Sequence, residues 1–262
     1  MNEILPGIKN VLLVASGKGG VGKSTVATNL SVAMAREGYK VGLLDADLYG
    51  PSVPLIFNME GTKVVNSGSP GKVEPFEKYG VKVMSLGFIV DKERAVIWRG
   101  PMASKVLTQL ITETNWGELD FLVVDMPPGT GDISITMAQK LPDSKAIIVI
   151  TPQQLAVSDG RKAANMFKAN GIDICIDGII ENMSWFTPKK HPDEKYYLFG
   201  KGGGEKLANE LQVPMLAKIP LVGDVCDLTD KGKTIFLSSD HCIYEAYSEL
   251  VSNIIKKENI IL

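Results

Sequence analysis

The chain's densest chemistry lies in ten residues, Ser16-Gly17-Lys18-Gly19-Gly20-Val21-Gly22-Lys23-Ser24-Thr25. Gly17 to Ser24 satisfy G-x-x-x-x-G-K-[ST], a spacing that lets successive backbone N–H groups converge on phosphate oxygens. Lys23 can reach the β- and γ-phosphates of a nucleotide, and the Ser24 hydroxyl can ligate Mg²⁺. Gly17, Lys18, Gly19, Gly20, Val21, Gly22, Lys23, Ser24 and Thr25 are therefore the predicted ATP cradle. Three carboxylates complete a candidate phosphoryl-transfer set. Asp45 and Asp47 follow Val41-Gly42-Leu43-Leu44, and Asp125 follows Phe121-Leu122-Val123-Val124. Asp125 fits a Walker B acid that holds Mg²⁺ directly or through water. Asp47 is the candidate for orienting an attacking water, and Asp45 for hydrogen-bonding the Mg²⁺ waters. Ser24, Asp45, Asp47 and Asp125 thus form the predicted metal group. The plain alternative is that Asp45 and Asp47 merely cap their strand.

These side chains need elements that bring them to one edge. Val11-Leu12-Leu13-Val14-Ala15 reads as a buried parallel strand, and Val26 to Ala35 as the helix that follows the loop, stopped at Gly38. Strands are predicted at 40–45, 81–86, 119–125, 145–150, 174–180 and 214–220. Helices are predicted after Pro101, over 156–169, and from about His241 to Lys257, whose Ile243, Ala246, Tyr247, Leu250 and Ile254 recur at helical spacing. Alternating strands and helices imply a doubly wound α/β fold with a predominantly parallel sheet and ligand at the C-terminal strand tips. The stretch 57–81 reads as a surface excursion, with a turn cluster at Asn66-Ser67-Gly68-Ser69-Pro70-Gly71. Trp98 and Arg99 read equally as functional groups or as a buried aromatic and a paired cation. Met126-Pro127-Pro128-Gly129-Thr130-Gly131-Asp132 reads as a loop that can sense a γ-phosphate through N–H groups at Gly129 or Gly131. Asn182, at a predicted strand tip, can present its amide to adenine, or simply serve a turn. Pro220 and the predicted loop Leu221-Val222-Gly223-Asp224 are placed against the base.

Composition narrows the classes. The chain has 262 residues, 45% of them apolar, with a net charge of −2. That charge gives no electrostatic case for nucleic acid. No apolar run is long enough for a membrane span, and the N-terminal residues lack a signal-peptide pattern. Cys175, Cys226 and Cys242 are few and widely spaced, which points to a reduced, cytoplasmic protein with no disulfide framework. Cys175 is predicted to be a core residue. A single domain over 1–262 is expected.

Lys18-Gly19-Gly20 followed by Gly22-Lys23-Ser24 resembles the deviant Walker A loop of the MinD/ParA/nitrogenase-iron-protein class. That resemblance implies a catalytic role for Lys18 beside Lys23 and Asp47: the extra lysine crosses a homodimer interface to the partner's phosphates. Asp45-Ala46-Asp47-Leu48-Tyr49-Gly50-Pro51-Ser52, Trp98-Arg99-Gly100-Pro101-Met102, Met126 to Asp132 and Glu181-Asn182-Met183 extend the likeness. Together these motifs resemble the Mrp/ApbC family of iron–sulfur cluster carrier ATPases. The resemblance implies a sheet of seven or eight strands, Mg²⁺-dependent ATP hydrolysis, and delivery of a 4Fe–4S cluster to client or scaffold proteins. Cluster-holding members carry Cys-x-x-Cys after the Glu-Asn-Met segment. Here Ser184-Trp185-Phe186-Thr187-Pro188-Lys189-Lys190-His191 stands there, so the cluster ligands are unassigned. Two rival readings remain open: a positioning switch of the MinD/ParA kind, and an ATP-dependent regulator that has lost its cluster.

Overall fold

The computed structural model describes residues 5–64, 71–89, 100–237 and 241–258. Trp98, Arg99 and most of the 66–71 turn cluster lie outside them. The strands are β1 (Ile8–Ala15), β2 (Val41–Asp45), β3 (Phe76–Lys78), β4 (Val81–Ser85), β5 (Leu119–Asp125), β6 (Lys145–Ile150), β7 (Cys175–Phe186) and β8 (Met215–Leu221). They form one eight-stranded sheet in the order β3-β4-β2-β5-β1-β6-β7-β8. Among the eight named strands only β3 and β4 pair antiparallel with one another, so the predicted mostly parallel sheet is found. The central strands are apolar from end to end because both their faces are covered. Leu12, Leu13, Val14, Leu43, Leu44 and Phe121 to Val124 are all buried.

The helices are α1 (Lys23–Arg36), α2 (Val53–Ile56), α3 (Gly100–Glu113), α4 (Asp132–Lys140), α5 (Gln154–Phe167), α6 (Gly203–Leu211), α7 (Gly223–Asp230) and α8 (His241–Glu258). The chain leaves β1 for β2 in one direction along the sheet. It returns from β4 to β5 and on through β6, β7 and β8 in the other. Right-handed crossovers then place α1 on one face and α3 to α6 on the other. Contacts agree: α1 packs on α8, α3 on α4, and α5 on α6. The predicted apolar stripe of α8, Ile243 to Ile254, is buried in the core. Reversal of direction at β1 makes a crevice at its C-terminal tip, where the glycine-rich loop begins.

Three expectations change. Cys175 is exposed, not core. It is the first residue of β7, opposite Lys145 at the start of β6, where the sheet's N-terminal edge is open; its neighbours Ile174 and Ile176 take the buried positions. Residues 221–224 are not a loop: α7 starts at Gly223, with Asp224 in its first turn where a carboxylate suits the helix dipole. The strand holding Asn182 does not end there. It runs on to Phe186 through a register shift after Asn182, with Met183 at φ +56°.

Candidate nucleotide site

The glycine-rich loop is held from three sides. The Ser16 hydroxyl donates to the Lys18 carbonyl at 2.8 Å, and the Gly129 N–H donates to the Ser16 carbonyl at 2.9 Å. Asn182 Nδ2 donates to the Val21 carbonyl at 2.9 Å. Two glycines are obligatory here. A Cβ on Gly17 would lie 1.9 Å from the Asp159 carbonyl oxygen of α5, and one on Gly22, at φ +80°, would lie 2.3 Å from Asn182 Nδ2. Gly22 is the residue from which α1 starts, so the helix N-terminus opens onto the loop. Lys18 is half-buried between Gly17 and the exposed Gly19 and Gly20.

Sheet register assembles the carboxylates. Asp45 of β2 pairs with Asp125 of β5 on one side and with Ser85 of β4 on the other. Asp45 and Asp125 are fully buried. Asp45 is a hub: its oxygens accept from the Ser85 hydroxyl at 2.9 Å and from the Asp47 and Val53 N–H groups at 3.2 Å. Those bonds shape the turn that carries Asp47. Asp47 Oδ1 in turn accepts from the Tyr49 and Gly50 N–H groups, both at 3.2 Å. Asp125 Oδ1 forms an ion pair with the buried Lys23 ammonium, which also lies 3.3 Å from the Ser24 hydroxyl. Asp125 Oδ2 is buried with no hydrogen-bond partner among the described residues. An orphaned carboxylate oxygen beside a serine hydroxyl is a donor set that suits a hard divalent cation. Ser24 and Asp125 therefore fit the predicted Mg²⁺ group, while Asp47 sits on the turn that Asp45 sets.

Electrostatics follow from this crowding. Burial, and then the neighbouring Asp125 charge, push the Asp45 carboxyl up to about 7. Burial also pushes Asp125 up, opposed by the charge of Lys23 and by its hydrogen bond. A folded-state value above the unfolded one means that the native chain holds an extra proton between about pH 4 and about 7. Stability from this group is then highest below the unfolded pKa and falls as pH rises through the folded one. Thermal unfolding in chelator, without nucleotide, is expected to lose roughly 4 kcal/mol over that window, and Asp45→Asn to flatten the loss. Equal slopes in the two proteins would refute this.

Beside the loop lies a cavity of about 350 Å³, bounded by Gly22 and Thr25, by Asn182 and Met183, by Pro220, and by α7 and α8. It begins where the phosphate cradle ends, as a base-and-ribose site must. The structure thus brings Gly17 to Thr25, Asp45, Asp47, Asp125, Gly129, Asn182 and Pro220 to one edge of the sheet. Two proposed contacts are spent elsewhere: the Gly129 N–H on Ser16, and the Asn182 amide nitrogen on Val21. Sequence reasoning missed Ser85, although its place after Val81-Lys82-Val83-Met84 marked a strand tip. It also missed the α7 wall, Val225, Cys226, Thr229 and Asp230, which reading 221–224 as a loop had hidden.

Comparison with known proteins agrees with this geometry. A family model described as ParA, NUBPL iron-transfer P-loop NTPase, matches residues 7–255. The chain is 48% identical over 233 residues to the iron-sulfur cluster carrier protein of Synechocystis, a match covering 88% of this chain and 65% of that one. It therefore spans less than two thirds of that relative's length. A nucleotide-binding protein from Archaeoglobus fulgidus, solved in complex with ADP, superposes with a TM-score of 0.78 at 37% identity, covering 91% of this chain and 92% of the other. The septum site-determining protein MinD of Pyrococcus horikoshii, complexed with Mg-ADP, shares the fold, with a TM-score of 0.68 at 22% identity over 95% of this chain and 97% of the other. By loop, strand-tip acids and family match alike, the chain belongs to the NUBPL iron-transfer family of P-loop NTPases.

Proposed function

We propose that this chain is a Mg²⁺-dependent ATPase that works as an ATP-switched homodimer in iron–sulfur cluster assembly or transfer. The observation that carries the reading is the single register row of Asp45 and Asp125 beside the loop that holds Lys23 and Ser24. Lys23 leaves its ion pair to meet the β- and γ-phosphates, and the loop N–H groups hold their oxygens. Asp47 accepts a hydrogen bond from the attacking water and orients it. Lys18 supplies a cation to the partner's nucleotide when two subunits meet. Ser24 and Asp125 would hold Mg²⁺, which when bound would supply positive charge against the phosphate oxygens. ATP turnover in wild type and Asp47→Ala tests the scheme, with a loss of about 100-fold expected in the variant. Undiminished turnover removes Asp47 from it.

The cluster is cargo here, and the chain's own thiols do not gather to hold it. Cys175 starts β7 at the sheet edge remote from the nucleotide site, Cys226 lies on α7 and Cys242 on α8. Among the described residues no three His, Cys, Asp or Glu side chains group as metal ligands. After Glu181-Asn182-Met183 the chain closes a hairpin: the Phe186 and Tyr196 backbones exchange two hydrogen bonds of 2.8 Å, and Lys189 pairs with Asp224 of α7 at 2.8 Å. The cargo reading draws its support from the carrier relatives. Anaerobic reconstitution with iron and sulfide, compared with Cys226→Ser/Cys242→Ser, tests whether any cluster is retained. A positioning role on membrane or DNA is less favoured. The net charge is −2, the basic residues of the last α8 turn are Lys256 and Lys257, and no helix among the described residues can span a membrane.

A further inference from the structure

The base cavity contains one feature that its nucleotide role leaves unexplained. Its walls are largely apolar, with Ile219, Pro220, Val225, Ile243 and Tyr247 among them, yet Asp230 places a carboxylate in the lining. Among the described residues that line it, Asp230 is the one charged side chain. No lysine or arginine among the described residues forms an ion pair with it. Its neighbour one turn back on α7, Cys226, also lines the cavity and directs its thiol to Asp230 Oδ2 at 3.7 Å. The Asp230 charge pushes that thiol upward from its ordinary value, so it remains an S–H donor. Asn182, which also lines the cavity, has committed its amide nitrogen to the Val21 carbonyl. A base entering this cavity therefore meets the Asp230 carboxylate and, among the described residues lining it, no lysine or arginine.

We infer that Asp230 reads the exocyclic amine of adenine and so sets the purine preference of the site. The inference rests on the nucleotide reading of the cavity and deepens it. A carboxylate oxygen accepts from an amine and repels a carbonyl, so a base with oxygen at C6 is disfavoured there. Guanine can meet a carboxylate through its paired N1 and N2 donors, which engage both oxygens. The Cys226 S–H donates to Oδ2 and competes with one of that pair, while a single amine needs Oδ1 alone. Asp230 positions the base and takes no part in phosphoryl transfer. It is exposed and ends α7, where a carboxylate opposes the helix dipole, so its removal does not threaten the fold.

Calorimetric titration with ADP, GDP and purine riboside 5′-diphosphate, which lacks the amine, tests this in wild type, Asp230→Ala and Cys226→Ala. Wild type is expected to bind ADP about tenfold more tightly than either analogue. Asp230→Ala is expected to erase that ratio while the purine riboside affinity holds, and Cys226→Ala to improve GDP relative to ADP. A ratio unchanged in Asp230→Ala overturns the assignment and leaves Asn182 Oδ1 as the reader. GDP binding at least as tightly as ADP to wild type overturns it as well. Failure of every nucleotide to bind wild type overturns the nucleotide site itself, an outcome distinct from the other two.

Discussion

Lys18→Ala is expected to cut ATP turnover by about 1000-fold while leaving ADP affinity within about threefold, the signature of a cation that acts only on the transition state. Its backbone is fixed from below by the Ser16 hydroxyl and flanked by exposed glycines, so the loop keeps its shape when the side chain is shortened. Lys23 remains to bind the resident nucleotide. Mixing this variant with Asp47→Ala separates the two ways Lys18 could act. If the cation crosses between subunits, a mixed pair contains one site with Asp47 in place and Lys18 delivered from its partner, and activity returns. If Lys18 serves its own nucleotide, every site in the mixture is broken. A silent mixture with proven exchange of subunits would therefore refute the trans assignment.

Lys23→Ala carries the larger structural penalty. Its ammonium is buried against the fully buried Asp125, and removing it strands a carboxylate in the core. Breaking a buried pair from one side costs on the order of 3 kcal/mol, partly relieved by protonation of an acid already pushed upward. Nucleotide affinity should also fall by at least about 100-fold. The double variant Lys23→Ala/Asp125→Asn should regain most of the lost thermal stability and none of the affinity, because the two effects have separate origins. Recovery of both together would mean that Lys23 acts on nucleotide only by keeping the protein folded.

Most of this frame was legible in the residues. The loop Gly17 to Thr25 is a local pattern, and the apolar runs ending in Asp45 and Asp125 announce their strands without tertiary help. The parallel sheet followed from the alternation of those runs with helices. Harder to read was anything set by a distant partner. Asn182 was legible as a strand-tip amide, but not that Val21 would take its nitrogen. Cys175 looked like core because its neighbours are isoleucines, yet its exposure depends on where the sheet edge falls. Ser85 carries no motif; only its register with Asp45 reveals its hydroxyl as a partner. The wall supplied by α7 was lost when a four-residue reading stopped short of a helix that Gly223 and Asp224 begin.

A consequence follows from the row in which Ser85, Asp45 and Asp125 stand side by side on neighbouring strands. Because the ladder of backbone bonds sets their spacing, the segments joining these strands can lengthen, shorten or diverge without displacing the acids. The sequence between α2 and β3, beyond the turn that carries Asp47, is thus open to drift, while slippage of a single strand by one position would scatter the acids at a stroke.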